Sequence, residues 1–160
     1  MHPFVVDYDP RWPGDFAVIR AELPAAWTVE HVGSTSVPGL AAKPIIDVDV
    51  VVEAHAVADA INELERLGWV HEGDGGIAGR EAFVSRPDLP PHHLYAVVAN
   101  GSAHRDHIDL RELLRRRPDL AERYGALKIE LAPLLASDRE AYGRGKAGLI
   151  AELLVIARRD

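Results

Sequence analysis

The sequence predicts an α+β fold, a mixed β-sheet core followed by a helical C-terminal part over about residues 102–160. Three observations predict it. Strand-like and helix-like segments are interleaved up to Asn100-Gly101, and every later segment has helical spacing. Pro44-Ile45-Ile46-Asp47-Val48-Asp49-Val50-Val51-Val52 is a β-branched run of strand length. The chain has 160 residues, 48% hydrophobic and 27% charged, which suits one globular domain spanning 1–160.

Phe4–Asp7 reads as a short strand. Pro10 to Leu23 reads as a helix, because Trp12, Phe16, Ile19 and Leu23 recur every three or four residues. Thr28–Val32 is a second strand, and it enters the loop Gly33-Ser34-Thr35-Ser36-Val37-Pro38-Gly39. After the Pro44–Val52 strand, Ala54 to Leu67 is an amphipathic helix carrying Val57, Ile61 and Leu64, stopped by Gly68. Gly73, Gly75, Gly76 and Gly79 mark a turn between Trp69–His71 and a strand at Glu81–Ser85. Arg86–Pro91 is a loop, since proline cannot join a ladder, and His93–Val98 resumes a strand. Ser102 is placed to cap a helix running to about Arg116. Pro118 opens the next, to about Leu135, and Ser137 or Asp138 caps a last one ending near Arg158. Arg111, Arg115, Arg116 and Arg117 read as solvated cations near the C-terminal end of a helix, where the dipole favours them.

Composition excludes several classes. With no cysteine there is no disulfide framework, thiolate nucleophile or Cys-ligated zinc. No stretch approaches the ~18 unbroken apolar residues of a membrane span. Met1-His2-Pro3-Phe4-Val5 lacks a basic region followed by a long apolar one, so no secretion signal is expected and a cytoplasmic location is. A formal net charge of −7 argues against nucleic acid as a partner, because a phosphate polyanion is repelled rather than steered in.

Chemistry concentrates in Gly33–Asp49. Asp47 and Asp49 lie two apart in a strand, so they share a face, with Cα atoms roughly 6–7 Å apart at ~3.3 Å per residue. Carboxylates so placed suit a hard divalent cation, and Mg²⁺ is commonly held by one or two carboxylates plus substrate phosphates. Upstream, Gly33 lets the backbone approach a phosphate, successive N–H groups form an anion nest, and Ser34 and Thr35 add hydroxyl donors. Lys43 supplies a cation just before the acidic strand.

The stretch Glu30-His31-Val32-Gly33-Ser34-Thr35-Ser36-Val37-Pro38-Gly39-Leu40-Ala41-Ala42-Lys43-Pro44-Ile45-Ile46-Asp47 resembles the hallmark of the GrpB-like family. The resemblance covers nearly the whole chain, through Tyr8-Asp9-Pro10-x-Trp12, Leu67-Gly68-Trp69, His92-His93-Leu94 and Leu110-Arg111-Glu112-Leu113-Leu114-Arg115-x-x-Pro118. It ends with Tyr124-x-x-Leu127-Lys128 and Tyr142-x-x-x-Lys146. It implies the nucleotidyltransferase fold, with a Gly-Ser turn opposite an Asp-x-Asp strand. Gly33 and Ser34 would then hold the triphosphate of an NTP, and Asp47 and Asp49 would hold Mg²⁺. A similar domain occurs fused to some bacterial dephospho-CoA kinases, where no catalytic role is implied. The chain departs from the pattern in three ways, one of them Leu110-Arg111-Glu112-Leu113-Leu114-Arg115 where the family has Phe-Arg-Asp-Tyr-Leu-Arg. Active members usually add a third acid on a later strand, and His92-His93-Leu94-Tyr95-Ala96-Val97 offers none. Tyr95 also stands where the family commonly has a second histidine.

Other residues extend the candidate site. Tyr124/Lys128 and Tyr142/Lys146 are each four apart and so share a helix face; either the lysines reach the nucleotide phosphates, or the tyrosines pack and the lysine stems snorkel over them. Arg80 and Arg111 are candidate bidentate anion binders. His93, on the strand where active members of the superfamily would carry the third acid, is the candidate catalytic histidine, and His31 is expected to steady the glycine loop. His104 and His107, three apart on a helix, read as ordinary hydrogen-bonded histidines rather than zinc ligands. Two functions follow as expectations. The first is Mg²⁺-dependent nucleotidyl transfer from an NTP to a small acceptor. The second is a non-catalytic nucleotide- or anion-binding accessory module, the class in which a protein partner also fits.

Overall fold

A computed structural model describes residues 5–159. Of the expected Phe4–Asp7 strand, Phe4 lies outside the described residues, and Val6 forms a single antiparallel bridge with Ala42. Five strands form one mixed sheet: β1 (Thr28–Val32), β2 (Ile46–Val52), β3 (Val70–Gly73), β4 (Arg80–Val84) and β5 (His92–Val98). Their order is β1-β2-β5-β4-β3. Only β2 and β5 run parallel, so the chain between them makes one crossover over the sheet.

The helices are α1 (Trp12–Arg20), α2 (Val57–Arg66), α3 (Ser102–Arg116), α4 (Pro118–Leu131), α5 (Leu134–Ser137) and α6 (Arg139–Arg159). Trp12 and Ile19 of α1 and Leu64 of α2 pack with Ile46, Val48, Val50, Leu94 and Phe83 in the main core on one face of the sheet. Beyond the other face, Leu113 and Leu114 of α3, Leu120 and Tyr124 of α4, and Leu149 and Leu153 of α6 make a second core that reaches Val37 and Leu40 of the loop. The α+β reading, with helices last, holds.

Several boundaries differ from the sequence reading, each for a local reason. Strand β2 starts at Ile46 and not Pro44, because the Ile45 N–H closes a tight turn onto the Lys43 carbonyl at 2.8 Å. Helix α1 ends at Arg20, whose guanidinium donates to the carbonyls of Leu23, Pro24, Ala25 and Trp27 and fastens the exit. The helix expected from Pro118 to Leu135 is interrupted before Pro133, which has no N–H to continue the ladder. Gly101, not Ser102, holds the N-cap position of α3, with no side-chain cap, whereas Asp138 accepts the Ala141 N–H at 3.0 Å and caps α6 as expected.

Pairing fixes what surrounds the two aspartates. Val32 and His93 lie opposite Asp47 on the flanking strands, and Glu30 and Tyr95 lie opposite Asp49. Residues directly opposite share a face, so these side chains meet under α3, α4 and α6. His31, Val48, Leu94 and His92 point the other way.

Candidate functional site

The site begins with a backbone constraint. Gly33 leaves β1 with φ 74° and ψ −174° and opens a 3₁₀ turn over Ser34–Ser36. A Cβ there would stand 2.9 Å from Asp47 Cγ and closer still to Oδ2. The glycine thus lies directly against the Asp47 carboxylate. Ser36 Oγ donates to the Gly33 carbonyl, and His31 Nε2 pairs with Thr35 Oγ1 at 2.9 Å while its ring stacks on Phe16. His31 therefore steadies the loop from behind.

Burial pulls the His31 pKa down from 6.5 to about 4. The unfolded chain then binds a proton in that interval that the native state does not, so the contribution is complete above pH 6.5 and is lost as pH falls toward 4. His31→Gln, compared with the parent by urea unfolding at pH 7 and pH 5, is expected to lose less stability on acidification. Equal losses would remove His31 from this role.

Loop, sheet and helices enclose a pocket of about 320 Å³. Gly33, Ser34, Thr35, Lys43, Asp47, His93, Arg111, Lys128 and Lys146 all line it. The fold thus brings together nine of the eleven candidate residues, drawn from the loop after β1, the segment before β2, β2, β5, α3, α4 and α6. Arg80 and Asp49 are the two that do not line it. Arg80 stacks its guanidinium on Tyr95, 4.5 Å from the ring centroid, and its Nε is buried without a hydrogen-bond partner. Arg111 reaches the wall already engaged, donating to Glu30 at 2.7 Å, to the His31 carbonyl at 2.9 Å and to Glu112. Arg115 donates to the Ser36 carbonyl at 3.0 Å. Two of the four arginines expected on a solvated face therefore clamp α3, Arg111 to β1 and Arg115 to the loop.

The two aspartates have different environments. Asp47 is 30% exposed, opens into the pocket and pairs through Oδ1 with His93 Nδ1 at 3.1 Å. Asp49 is wholly buried. Its Oδ2 meets His107 Nδ1 at 2.6 Å and its Oδ1 has no partner. Burial lifts the Asp49 carboxyl above the ordinary aspartate range. Burial also draws His107 down, but its hydrogen bond to Asp49 and the Asp49 charge outweigh that and leave it raised. The donor set fits Mg²⁺ held by one carboxylate, Asp47, and by a ligand's own phosphates. It does not fit an ion held by both aspartates, because Asp49 is turned onto His107. No group of three or more metal-ligating side chains converges among the described residues.

Cations dominate the remaining wall. Lys128 Nζ lies 4.9 Å from the Tyr124 ring centroid, and Lys146 and Lys43 lie 4.5 and 5.7 Å from that of Tyr142. Both Tyr/Lys pairs are therefore packed tyrosines with the lysine across the ring. Tyr95 also lines the pocket, and its phenol is pushed up to about 12 chiefly by burial, with Asp47 adding to the effect.

His107 is the functional-site residue that sequence reasoning missed. It sits 58 positions from Asp49, and only the docking of α3 on the sheet joins them. His104 instead accepts the Asn100 N–H, and His92 accepts the Trp69 indole N–H at 3.0 Å as a core strut.

Similarity to known proteins agrees with this construction. The family described as GrpB protein matches residues 2–155. The chain belongs to the GrpB family. It is 31% identical to UPF0157 protein YqkA of Bacillus subtilis over 148 residues, 89% of this chain and 43% of that protein. It is 36% identical to a UPF0157 protein of Pseudomonas aeruginosa over 162 residues, 94% of this chain and 65% of that protein. The chain thus spans less than half of the first of those relatives and just under two thirds of the second. The crystal structure of conserved protein GrpB from Enterococcus faecalis superposes with a TM-score of 0.78 at 33% identity, covering 96% of each chain. This GrpB-family sheet and its Gly33 loop have the nucleotidyltransferase-like architecture. No helix among the described residues is long and apolar enough to cross a membrane.

Proposed function

We propose that this GrpB-family chain binds the phosphate chain of a nucleoside triphosphate in the 320 Å³ pocket and transfers the nucleotidyl group to a small acceptor. The observation that carries the reading is the packing of the Gly33 backbone onto Asp47 at a pocket whose wall holds Lys43, Lys128 and Lys146. The Gly33–Ser34 turn would present backbone N–H groups and a hydroxyl to phosphate oxygens. The lysines would neutralise the chain of phosphates, and Asp47 would hold Mg²⁺ against it. When bound, Mg²⁺ supplies charge neutralisation at the phosphates. His93, half exposed at the mouth and hydrogen-bonded to Asp47, is placed to accept the acceptor's hydroxyl proton as the new P–O bond forms and pyrophosphate departs.

A second reading, binding without transfer, is favoured by one specific observation. Asp49 is tied to His107, and Asp47 is the sole carboxylate among the pocket-lining residues. Isothermal titration with ATP and GTP, with and without Mg²⁺, separates these ideas from no function at the site. We expect Mg²⁺-dependent binding that Asp47→Asn weakens at least about tenfold, on the scale of losing a charged ligand. Undiminished binding by Asp47→Asn would overturn the assignment of Mg²⁺ to that carboxylate. Pyrophosphate release in an acceptor screen distinguishes transfer from binding alone.

A further inference from the structure

The chain contains only three lysines, Lys43, Lys128 and Lys146, against fifteen arginines, and all three lysines line the same pocket. They come from three separate places, the segment before β2, α4 and α6. Arginine serves at the ion pairs formed elsewhere on the surface, including Arg11–Asp9, Arg123–Glu152 and Arg158–Asp106. Among the described residues, no lysine forms an ion pair with a carboxylate. The chemical difference between the two side chains is decisive here: an ammonium can shed its proton when buried, and a guanidinium cannot.

Lys128 is 2% exposed, the most enclosed of the cations with a stated burial. From its own helix it faces the Tyr124 ring. From α6 it faces Lys146, with Tyr142 beside that, and from the segment before β2 it faces Lys43. From β2 the Asp47 charge acts on it, while His93, His107 and Arg111 complete the titratable and charged lining. Three lysine side chains lining one pocket, none of them ion-paired to a carboxylate and with Asp47 the one acid among the lining residues, beside a loop of backbone and hydroxyl donors, are a receptor for an anion carrying several charges along a chain.

We propose that the three lysines form a proton-coupled polyphosphate clamp, in which the pocket takes its ligand by the polyphosphate chain and Lys128 acquires a proton as that chain enters. This deepens the phosphate-binding reading above and rests on it. In the empty pocket, burial first, and then the neighbouring charges of Lys146 and Lys43, bring Lys128 down to about 7. A bound polyanion opposes both effects by placing negative charge beside the amine, which favours its protonated form. Linkage sets the sign: the complex holds a proton that the free protein lacks above pH 7, so affinity falls as pH rises. With one coupled proton the fall is about tenfold per pH unit.

The probe is sodium tripolyphosphate, with pyrophosphate and inorganic phosphate for comparison, titrated calorimetrically without Mg²⁺ in buffers of different ionisation enthalpy. We expect affinity in the order tripolyphosphate, pyrophosphate, phosphate, with uptake of about one proton between pH 7.5 and 9. Protons exchanged by the polyphosphate itself are common to parent and variants, so Lys128→Arg isolates the Lys128 contribution and is expected to lose the pH slope. Lys128→Met, which removes the charge without adding bulk, is expected to bind weakly at every pH and without the slope. A slope that persists in both variants overturns the coupling and leaves the phosphate site standing. Binding of Mg²⁺-ATP without any binding of tripolyphosphate overturns the clamp. Failure of both ligands overturns the function reading itself.

Discussion

Gly33→Ala is expected to destabilise the fold by about 3 kcal/mol and to abolish phosphate-chain binding. Two effects act together. At φ 74° and ψ −174° the residue occupies backbone space that is essentially reserved for glycine, a strain of about 1–3 kcal/mol for any other residue. The added methyl also overlaps the Asp47 carboxylate, which must swing away from His93 and out of its place in the pocket. Gly39→Ala is the matched control. Its φ is 85°, so it is strained too, but a Cβ there meets nothing within 4 Å. Urea unfolding should show a loss of only about 1–2 kcal/mol for Gly39→Ala, and calorimetry should show nucleotide binding retained. Equal stability and equal binding in the two variants would show that contact with Asp47 has no consequence.

Asp49 is expected to give the second large effect, and the replacement chosen decides its size. Asp49→Ala removes one partner of a buried pair, leaves His107 facing an empty space, and should cost about 3 kcal/mol or more. Asp49→Asn keeps the shape and substitutes a neutral amide–imidazole contact, so a loss of about 1 kcal/mol or less is expected at neutral pH. The pH dependence carries the sharper signature. Asp49 and His107 are both raised above their ordinary values, so the native pair holds protons more tightly than the unfolded chain does. Its contribution is therefore greatest at low pH and is lost as pH rises through the raised values. The stability gap between parent and Asp49→Asn should accordingly be wider at pH 5 than at pH 8 in urea unfolding. A gap of equal size at both would show that the pair is not held together by charge.

Most of the fold was legible in the sequence because its signals are local. Ile46–Val52 alternates core valines with two aspartates, and that spacing alone puts Asp47 and Asp49 on the face away from Val48 and Val50. Gly33 and Gly68 stand at positive φ where loop and helix-stop signals placed them. Errors fell at element ends, where a single contact decides. Arg20 fastens the end of α1 to four carbonyls, and no periodicity shows that.

The sequence by itself determined most of the elements and the Gly33–Asp49 signature. These follow from chain spacing, which fixes side-chain direction within a strand or a helical turn. Only the tertiary structure decided the chemistry of each group. Asp47 opens to the pocket while Asp49, two residues away on the same face, lies beneath α3 against His107. Arg115 became a loop clamp, and three lysines up to 103 positions apart, from 43 to 146, became one cluster. The physical reason is that burial and neighbouring charge are properties of packed helices. They were set when the apolar faces of α3, α4 and α6 closed over the sheet.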